Sequence, residues 1–282
     1  MLLGFNLLLW TTHVTEAHFP LFAELRRAGY DGVEIPVFEG EPEHFARVGR
    51  LIRDEGLRCT GVTVLPDEAH SAVSADPVSR RGAMKRLHWA VDCLHAAGGE
   101  VLSGPFHQPL GVFTGEPPTD QERERLAEVH VMVADYAAGT GVRLSVEPLN
   151  RFECYVLNTV ADARDLVARV DRTGYGLLYD TFHANIEEKD PVGVIAPNLD
   201  AINHVHLSEN DRGTPGKGHV PFLATLREFK RAGYEGWFVI EAFGRALPDL
   251  AAATRVWRDF FLSREEVYRS GHDFLRETWE RA

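Results

Sequence analysis

Apolar residues recur at three- and four-residue spacing along seven stretches of the chain, and this is the period of an amphipathic helix. The stretches are residues 19–28, 42–55, 77–97, 120–139, 160–172, 220–232 and 250–262. A further short helix, the sixth in chain order, is expected near 191–197. A closing helix over 263–279 begins with a Ser-Arg-Glu-Glu pattern that is typical of a helix N-cap.

Short apolar runs lie between these helices, and most of them follow a glycine. Ala-Gly-Tyr or Thr-Gly-Tyr occurs at residues 28–30, 173–175 and 232–234, and weaker copies of the junction occur elsewhere. Glycine just past a helix ends it in the left-handed conformation, after which a strand can begin. Six such junctions, the apolar N-terminal segment 1–10 and the segment 203–207 predict eight strands. Strands and helices that alternate eight times predict an α/β fold, a (β/α)8 TIM barrel with an additional C-terminal helix, as one domain over residues 1–282.

Four successive predicted strands run into a side chain that could bind a metal. Residues 142–146 lead to Glu147, 175–179 to Asp180, 201–205 to His206 and 237–240 to Glu241. In this fold the active site lies at the carboxyl ends of the strands, so these four side chains are expected to converge. Three carboxylates and one imidazole suit Mn²⁺, Mg²⁺ or Co²⁺ better than a zinc site rich in thiolates.

A single carboxylate at a strand end usually caps a helix or accepts a hydrogen bond from a loop. Four ligands together argue for a cation, because like charges this close repel one another. No Lys or Arg is expected in position to neutralise them. His204 precedes His206 by two residues and therefore points to the same barrel face, where we expect a deeper core histidine with its hydrogen bonds satisfied.

The composition narrows the classes of partner. The net charge of -12 results from 42 acidic and 30 basic residues, without a Lys/Arg block, and it disfavours nucleic acid and anionic membranes. The three cysteines are scattered, which fits a reducing cytoplasm. No apolar run reaches the roughly 18 residues of a membrane helix, and segment 1–10 lacks the basic flank of a signal peptide. A cytoplasmic protein that acts on a small molecule is expected.

The polar segments after the strand ends carry further candidates, Glu153, His183 and Arg212, and their motifs resemble a known family. The motifs are Glu147-x-x-Asn150-Arg151-Phe152-Glu153, Asp180-Thr181-Phe182-His183, His206-Leu207-x-Glu209 followed by Arg212, and Glu241-x-Phe243. They are similar to those of the D-tagatose 3-epimerase family of xylose isomerase-like barrels. That family includes D-allulose (D-psicose) and L-ribulose 3-epimerases.

The resemblance implies one metal ion per subunit, Mn²⁺ first with Co²⁺ or Mg²⁺ as alternatives, bound by Glu147, Asp180, His206 and Glu241. It implies that both glutamates act on the substrate carbon, and that homodimers or homotetramers form. It also implies that the C1–C3 end of the sugar contacts Glu153, His183 and Arg212, with Phe243 packed nearby. At the position of Asn6, members of that family often carry an aromatic residue, and near the position of Val14 they often carry a Trp. Asn6 is therefore a candidate substrate contact, and the departure leaves the preferred sugar open.

The predicted activity is inversion of C3 of a free ketose of the D-tagatose, D-fructose/D-allulose or L-ribulose type, through an enediolate. The main alternative is an aldose–ketose or hydroxypyruvate-type isomerase on the same metal site, and dehydration of a cyclic polyol is a variant. An endonuclease is opposed by the negative charge and by the few histidine ligands. A metal-binding sugar sensor without turnover is a different class, and the pair of glutamates around one ion argues against it.

Overall fold

The computed structural model describes residues 1–282, and its centre is a closed barrel of eight parallel strands that follow one another in chain order. The strands are β1 (Leu2–Asn6), β2 (Gly32–Pro36), β3 (Arg58–Val62), β4 (Val101–Gly104), β5 (Arg143–Val146), β6 (Tyr175–Asp180), β7 (Ile202–Leu207) and β8 (Trp237–Ile240). The barrel closes where Leu2 of β1 pairs with Trp237 of β8. The predicted TIM barrel is confirmed.

Nine helices surround the barrel or follow it. They are α1 (Pro20–Ala28), α2 (Pro42–Asp54), α3 (Pro77–Ala97), α4 (Asp120–Ala138), α5 (Val160–Val170), α6 (Thr181–Glu187), α7 (Phe222–Ala232), α8 (Pro248–Ala253) and α9 (Arg264–Arg281). The additional C-terminal helix is therefore confirmed as α9. The hydroxyl of Ser263 caps it by accepting a hydrogen bond from the backbone N–H of Glu266 at 3.1 Å. None of these helices combines the length and apolarity needed to cross a membrane.

Glycine ends three of the helices at predicted junctions, while the left-handed residue after α5 is Asp171. Gly29, Gly98 and Gly233 follow α1, α3 and α7 with φ of 101°, 73° and 81°, a left-handed region that costs other residues free energy. Each strand therefore starts within a few residues of the preceding helix, and the successive units pack side by side.

Two helices differ from the prediction. Near residues 191–197 the chain forms only a short 3-10 helix, Ala196–Asn198. The sixth α-helix instead begins directly after β6, where the carboxylate of Asp180 accepts a hydrogen bond from the N–H of Phe182 at 2.6 Å. The eighth helix was expected over 250–262, but it begins at Pro248 and ends at Ala253. Arg255, shortly after its end, has a positive φ of 59°, which no continuing helix can accommodate.

Side chains that point into the barrel change from apolar to polar along the axis. At the amino end, Trp237 packs with Val101 and Val239. Gly32 leaves room for the indole, because a Cβ there would lie 2.6 Å from Trp237 Cη2. Two residues further along β2, on the same face of the strand, lies the buried carboxylate of Glu34. The interior is therefore polar directly beneath the carboxyl ends of the strands.

Candidate active site

The four predicted metal ligands meet at the carboxyl end of the barrel. Asp180 is the last residue of β6 and His206 the last but one of β7, while Glu147 and Glu241 directly follow β5 and β8. One potential ligand atom from each lies within 4.8 Å of those of the other three, and all four residues are buried. Adjacent strands of the barrel thus bring together residues that are far apart in the sequence.

The chemistry of this cluster fits a divalent cation. Oε1 of Glu147 and Nδ1 of His206 are buried without a hydrogen-bond partner, and they lie 3.9 Å apart. Burial and the charge of Glu241 raise the pKa of Glu147 well above its ordinary value, and burial likewise raises the pKa of Asp180. Buried carboxylates that repel one another, next to an unpaired nitrogen, are stabilised by a cation with a preference for oxygen and imidazole ligands.

One expectation about this cluster is wrong: an arginine does reach the carboxylates. Nη1 of Arg212 donates hydrogen bonds to Oδ2 of Asp180 at 3.0 Å and to Oε2 of Glu241 at 2.8 Å. Its guanidinium carbon lies 3.7 Å from the ring centroid of Phe182 and 4.9 Å from that of Phe243. These cation–π contacts restrict the orientation of the guanidinium group. One positive charge offsets only part of the charge of three carboxylates, so the cluster keeps its need for a cation.

The buried carboxylate of Glu209 fixes the loop that carries Arg212. Arg212 has a φ of 63°, a conformation that costs a residue with a Cβ roughly 1–2 kcal/mol. Glu209 accepts hydrogen bonds from the backbone N–H groups of Gly216 at 2.9 Å and Val220 at 3.0 Å. The sequence showed Glu209 only as part of a motif. In the structure it closes the loop and so holds Arg212 over the cluster.

His183 presents a hydrogen-bond donor beside Arg212. Its Nδ1 accepts a hydrogen bond from the backbone N–H of Asn150 at 2.9 Å, so Nε2 carries the proton of the neutral ring. Burial and the charge of Arg212 lower the pKa of His183 well below its ordinary value, which keeps the ring neutral. Nη2 of Arg212 lies 2.9 Å from this Nε2, so the two side chains lie next to each other in the site. An oxygen of a ligand bound there would accept hydrogen bonds from both.

These groups border one cavity. Its polar lining consists of Glu147, Glu153, His183, Arg212, Glu241 and Thr254, and its apolar lining includes Leu8, Phe38, Val62, Val64, Leu110, Leu149, Phe243 and Leu250. Glu153 accepts a hydrogen bond from the side chain of Asn150 at 3.0 Å. Every predicted substrate contact except Asn6 therefore lies on this cavity.

Asn6 is buried beneath the cavity and does not line it. Its side-chain amide donates hydrogen bonds to Glu34 at 2.9 Å and to Glu241 at 3.3 Å, and its side-chain oxygen accepts one from the N–H of Leu8 at 2.8 Å. Through these bonds Asn6 connects Glu241 to a carboxylate that the sequence did not single out.

That carboxylate, Glu34 of β2, is fully buried and lies directly below the cluster. Its Oε1 is 2.7 Å from Nε2 of His206, and its Oε2 is 2.8 Å from Nε2 of His204. His204 is fully buried in the barrel, as expected, but only one of its ring nitrogens has a partner. Nothing in the local sequence marks Glu34, because its partners lie about 170 residues away along the chain.

Comparison with known proteins agrees with the fold. The family described as xylose isomerase-like TIM barrel matches residues 22–278. A probable ketose 3-epimerase of Synechocystis sp. is 32% identical over 277 residues, covering 98% of this chain and 96% of that protein. A ketose 3-epimerase of Arthrobacter globiformis is 30% identical over 280 residues, with coverage of 98% and 96%.

Solved structures agree as well. The D-allulose 3-epimerase from Methylomonas sp., in complex with D-allulose, has a TM-score of 0.91 at 27% identity, over 99% of this chain and 97% of that one. Barrel, cluster and relatives together define an isomerase-class enzyme. The chain belongs to the xylose isomerase-like TIM barrel family and, within it, to the ketose 3-epimerases.

Proposed function

We propose that this chain inverts C3 of an unphosphorylated ketose with the help of one divalent metal ion per subunit. Glu147, Asp180, His206 and Glu241 would hold the ion, with Mn²⁺ as the first candidate and Co²⁺ or Mg²⁺ as alternatives. The observation that carries the proposal is that Glu147 and Glu241, from strands β5 and β8, border one cavity and belong to one ligand cluster. Relatives that are named L-ribulose 3-epimerase and D-psicose (D-allulose) 3-epimerase suggest free ketoses of this class, to which D-fructose and D-tagatose also belong.

Glu147 and Glu241 are suited to move the proton. Inversion of a carbinol carbon next to a ketone requires that its hydrogen leaves from one face and returns on the other. Burial and the charge of Glu241 raise the pKa of Glu147. Burial alone would also raise the pKa of Glu241, but His206 and Arg212 outweigh it and lower that pKa. In the metal-free protein the two carboxyls therefore differ in pKa.

The remaining polar groups can hold the sugar. A bound divalent cation would neutralise the carboxylates and polarise the ketone and its neighbouring hydroxyl. The neighbouring N–H donors of His183 and Arg212 would stabilise oxygen atoms on which negative charge develops. We assign Glu153 to the hydroxyls at the C1–C3 end of the sugar and Phe243 to its carbon face.

The cavity favours a sugar without phosphate. Arg212 is the only cationic side chain that lines it, and Asp180 and Glu241 already engage its guanidinium. A phosphate dianion needs donors that are free to pair with it. Arg255 and Arg258 lie outside, on a wider groove at the mouth that also carries Asp211, so a phosphate would have to extend that far.

The nearest alternative is an aldose–ketose or hydroxypyruvate-type isomerase on the same site. Such an enzyme would remove the same kind of proton but return it to a neighbouring carbon, so the product separates the two activities. The expected cytoplasmic location, the homodimer or homotetramer and the lack of nucleic-acid or membrane partners stay predictions.

The test uses metal-stripped protein that has been reloaded with Mn²⁺ and incubated in D₂O with D-fructose, D-tagatose and L-ribulose. Chromatography and NMR would identify each product. The proposal expects the C3 epimer of at least one ketose, with deuterium at C3. An aldose product, deuterium only at C1, or no conversion of any ketose by the metal-loaded protein would overturn it.

A further inference from the structure

The buried carboxylate of Glu34 has more hydrogen-bond donors around it than either of the two proposed catalytic glutamates. Oε1 faces Nε2 of His206 and the amide of Asn6, at 2.7 and 2.9 Å. Oε2 faces Nε2 of His204 at 2.8 Å and accepts hydrogen bonds from the hydroxyls of Thr60 at 3.0 Å and Ser103 at 3.1 Å. These five donors surround both oxygens of the carboxylate, so no position on it stays open for a substrate.

The charge of Glu34 stays in place despite its full burial. All five surrounding groups can donate, and a protonated carboxyl would place its own O–H against one of them. A buried carboxylate is retained as an anion when donors surround it in this way. The anion therefore faces the side of His206 that is turned away from the cluster.

The hydrogen bond to Glu34 decides which nitrogen of His206 can bind a metal. A carboxylate only accepts, so Nε2 of His206 must carry a proton. In the neutral ring Nδ1 then has the free lone pair, and Nδ1 is the atom that faces Oε1 of Glu241 at 3.3 Å and Oε1 of Glu147 at 3.9 Å. A carboxylate behind a histidine ligand also makes the imidazole a stronger base.

The same oxygen of Glu34 connects to a second member of the cluster. The amide of Asn6 donates to Oε1 of Glu34 and to Oε1 of Glu241, so it holds these two carboxylates in a fixed relation. The position of Asn6 is in turn fixed by the backbone N–H of Leu8. One carboxylate therefore acts on His206 directly and on Glu241 through Asn6.

We propose that Glu34 is a positioning residue of the metal centre: it presents Nδ1 of His206 to the ion, strengthens that ligand, and through Asn6 fixes Glu241. This inference rests on the metal site proposed above. It places a functional residue on β2, which pairs with none of the strands that supply the four ligands.

The test is Glu34→Gln, which keeps the size of the side chain and removes its charge. His206 and the Asn6 amide both donate to the same oxygen, so the glutamine is expected to keep its oxygen there and turn its NH₂ towards His204 and the two hydroxyls. Hydroxyls can rotate to accept, so this variant is expected to fold. The matched control is Thr60→Val, which removes one donor from the other oxygen and leaves the contact with His206.

The measurement is the Kd for Mn²⁺ by competition with a chelating dye, with the melting temperature of each metal-free protein as the check on folding. Loss of this kind of support typically weakens metal binding about 10–100-fold, and we expect that range for Glu34→Gln. Thr60→Val should stay within about threefold of the unchanged protein. Equal Mn²⁺ affinity in the Glu34→Gln variant and the unchanged protein would overturn the inference. Absence of Mn²⁺ binding by the unchanged protein would instead overturn the proposed function.

A second measurement does not depend on any variant. In unchanged protein loaded with diamagnetic Zn²⁺ and labelled with ¹⁵N-histidine, NMR should show His206 with a slowly exchanging proton on Nε2 and the metal on Nδ1. A proton on Nδ1 of the metal-loaded protein, or a metal on Nε2, would refute the role of Glu34 even if the Glu34→Gln variant failed to fold.

Discussion

Replacing each proposed base by glutamine should nearly stop epimerisation. A general base typically contributes roughly 10²–10⁴ to the rate, which corresponds to about 3–5 kcal/mol of barrier at 1.36 kcal/mol for each factor of ten. We expect a loss of this size for both Glu147→Gln and Glu241→Gln. Because both residues are also proposed ligands, metal content must be measured first in each variant.

The structure predicts that the two variants differ in stability. The two carboxylate oxygens of Glu241 accept hydrogen bonds from Asn6 and from Arg212. A glutamine there must therefore turn its NH₂ against a donor, at a cost of about 1–3 kcal/mol for the group left unpaired. Oε1 of Glu147 has no partner to lose. Glu241→Gln should therefore unfold at a lower denaturant concentration than Glu147→Gln.

Hydrogen exchange in D₂O tests whether each glutamate serves a different face of the sugar. An enzyme with one base left can still remove and return the C3 hydrogen from a single face, which labels one epimer without inverting it. Metal-loaded Glu147→Gln and Glu241→Gln should label opposite epimers. Glu153→Gln is the matched control, since this buried carboxyl lines the same cavity without a proposed role as base, and it should still invert C3 with a raised KM. If both variants label the same epimer, or either inverts C3 near the original rate, one glutamate per face is the wrong assignment.

The remaining predictions concern the substrate, the arginine and the acid stability. A free ketose should have a kcat/KM at least about tenfold above its phosphorylated form, and the reverse ratio in steady-state kinetics would contradict the absence of a phosphate site. Arg212→Lys keeps the charge but not the planar set of donors, so kcat/KM should fall about 10²–10³-fold while Mn²⁺ affinity changes far less. Unchanged kinetics would contradict the role of Arg212 in binding the sugar oxygens. Burial lowers the pKa of His130 to about 4 from an ordinary 6.5. As the pH drops from about 6.5 towards 4, the unfolded chain therefore binds a proton at His130 that the folded protein does not, and the free energy of unfolding should fall. The difference of about 2.5 pKa units corresponds to at most about 3.4 kcal/mol. Urea unfolding at pH 7 and pH 4.5 should therefore show a smaller loss of stability in acid for His130→Gln than for the unchanged protein, and equal losses would contradict this.

The parts of the site that could be predicted from sequence are those that one strand–helix unit specifies locally. An apolar run that ends on a polar residue identifies Glu147, Asp180, His206 and Glu241, because alternation along a strand fixes the face on which each points. The glycines after the helices mark the strand starts in the same local way. Repetition of this unit around the barrel then brings the four side chains to one end.

The parts that could not be predicted depend on closure of the barrel or on loop conformation. Glu34 has its role only because β2 faces β7 across the interior, which no pattern within β2 shows. Arg212 reaches the carboxylates because Glu209 closes its loop and a positive φ turns the side chain inward. The helix α6 is only seven residues long and includes polar site residues such as His183. Its apolar residues therefore do not repeat often enough to predict a helix.

Activity measured while Mn²⁺ is added to metal-stripped protein tests the central claim most directly. The account predicts no C3 inversion of the best ketose before addition, a rise in rate in proportion to bound ion, and a plateau at one ion per chain, with a parallel rise in melting temperature because the ion binds only the folded state. C3 inversion at the full rate by protein that elemental analysis shows to be free of metal would contradict it.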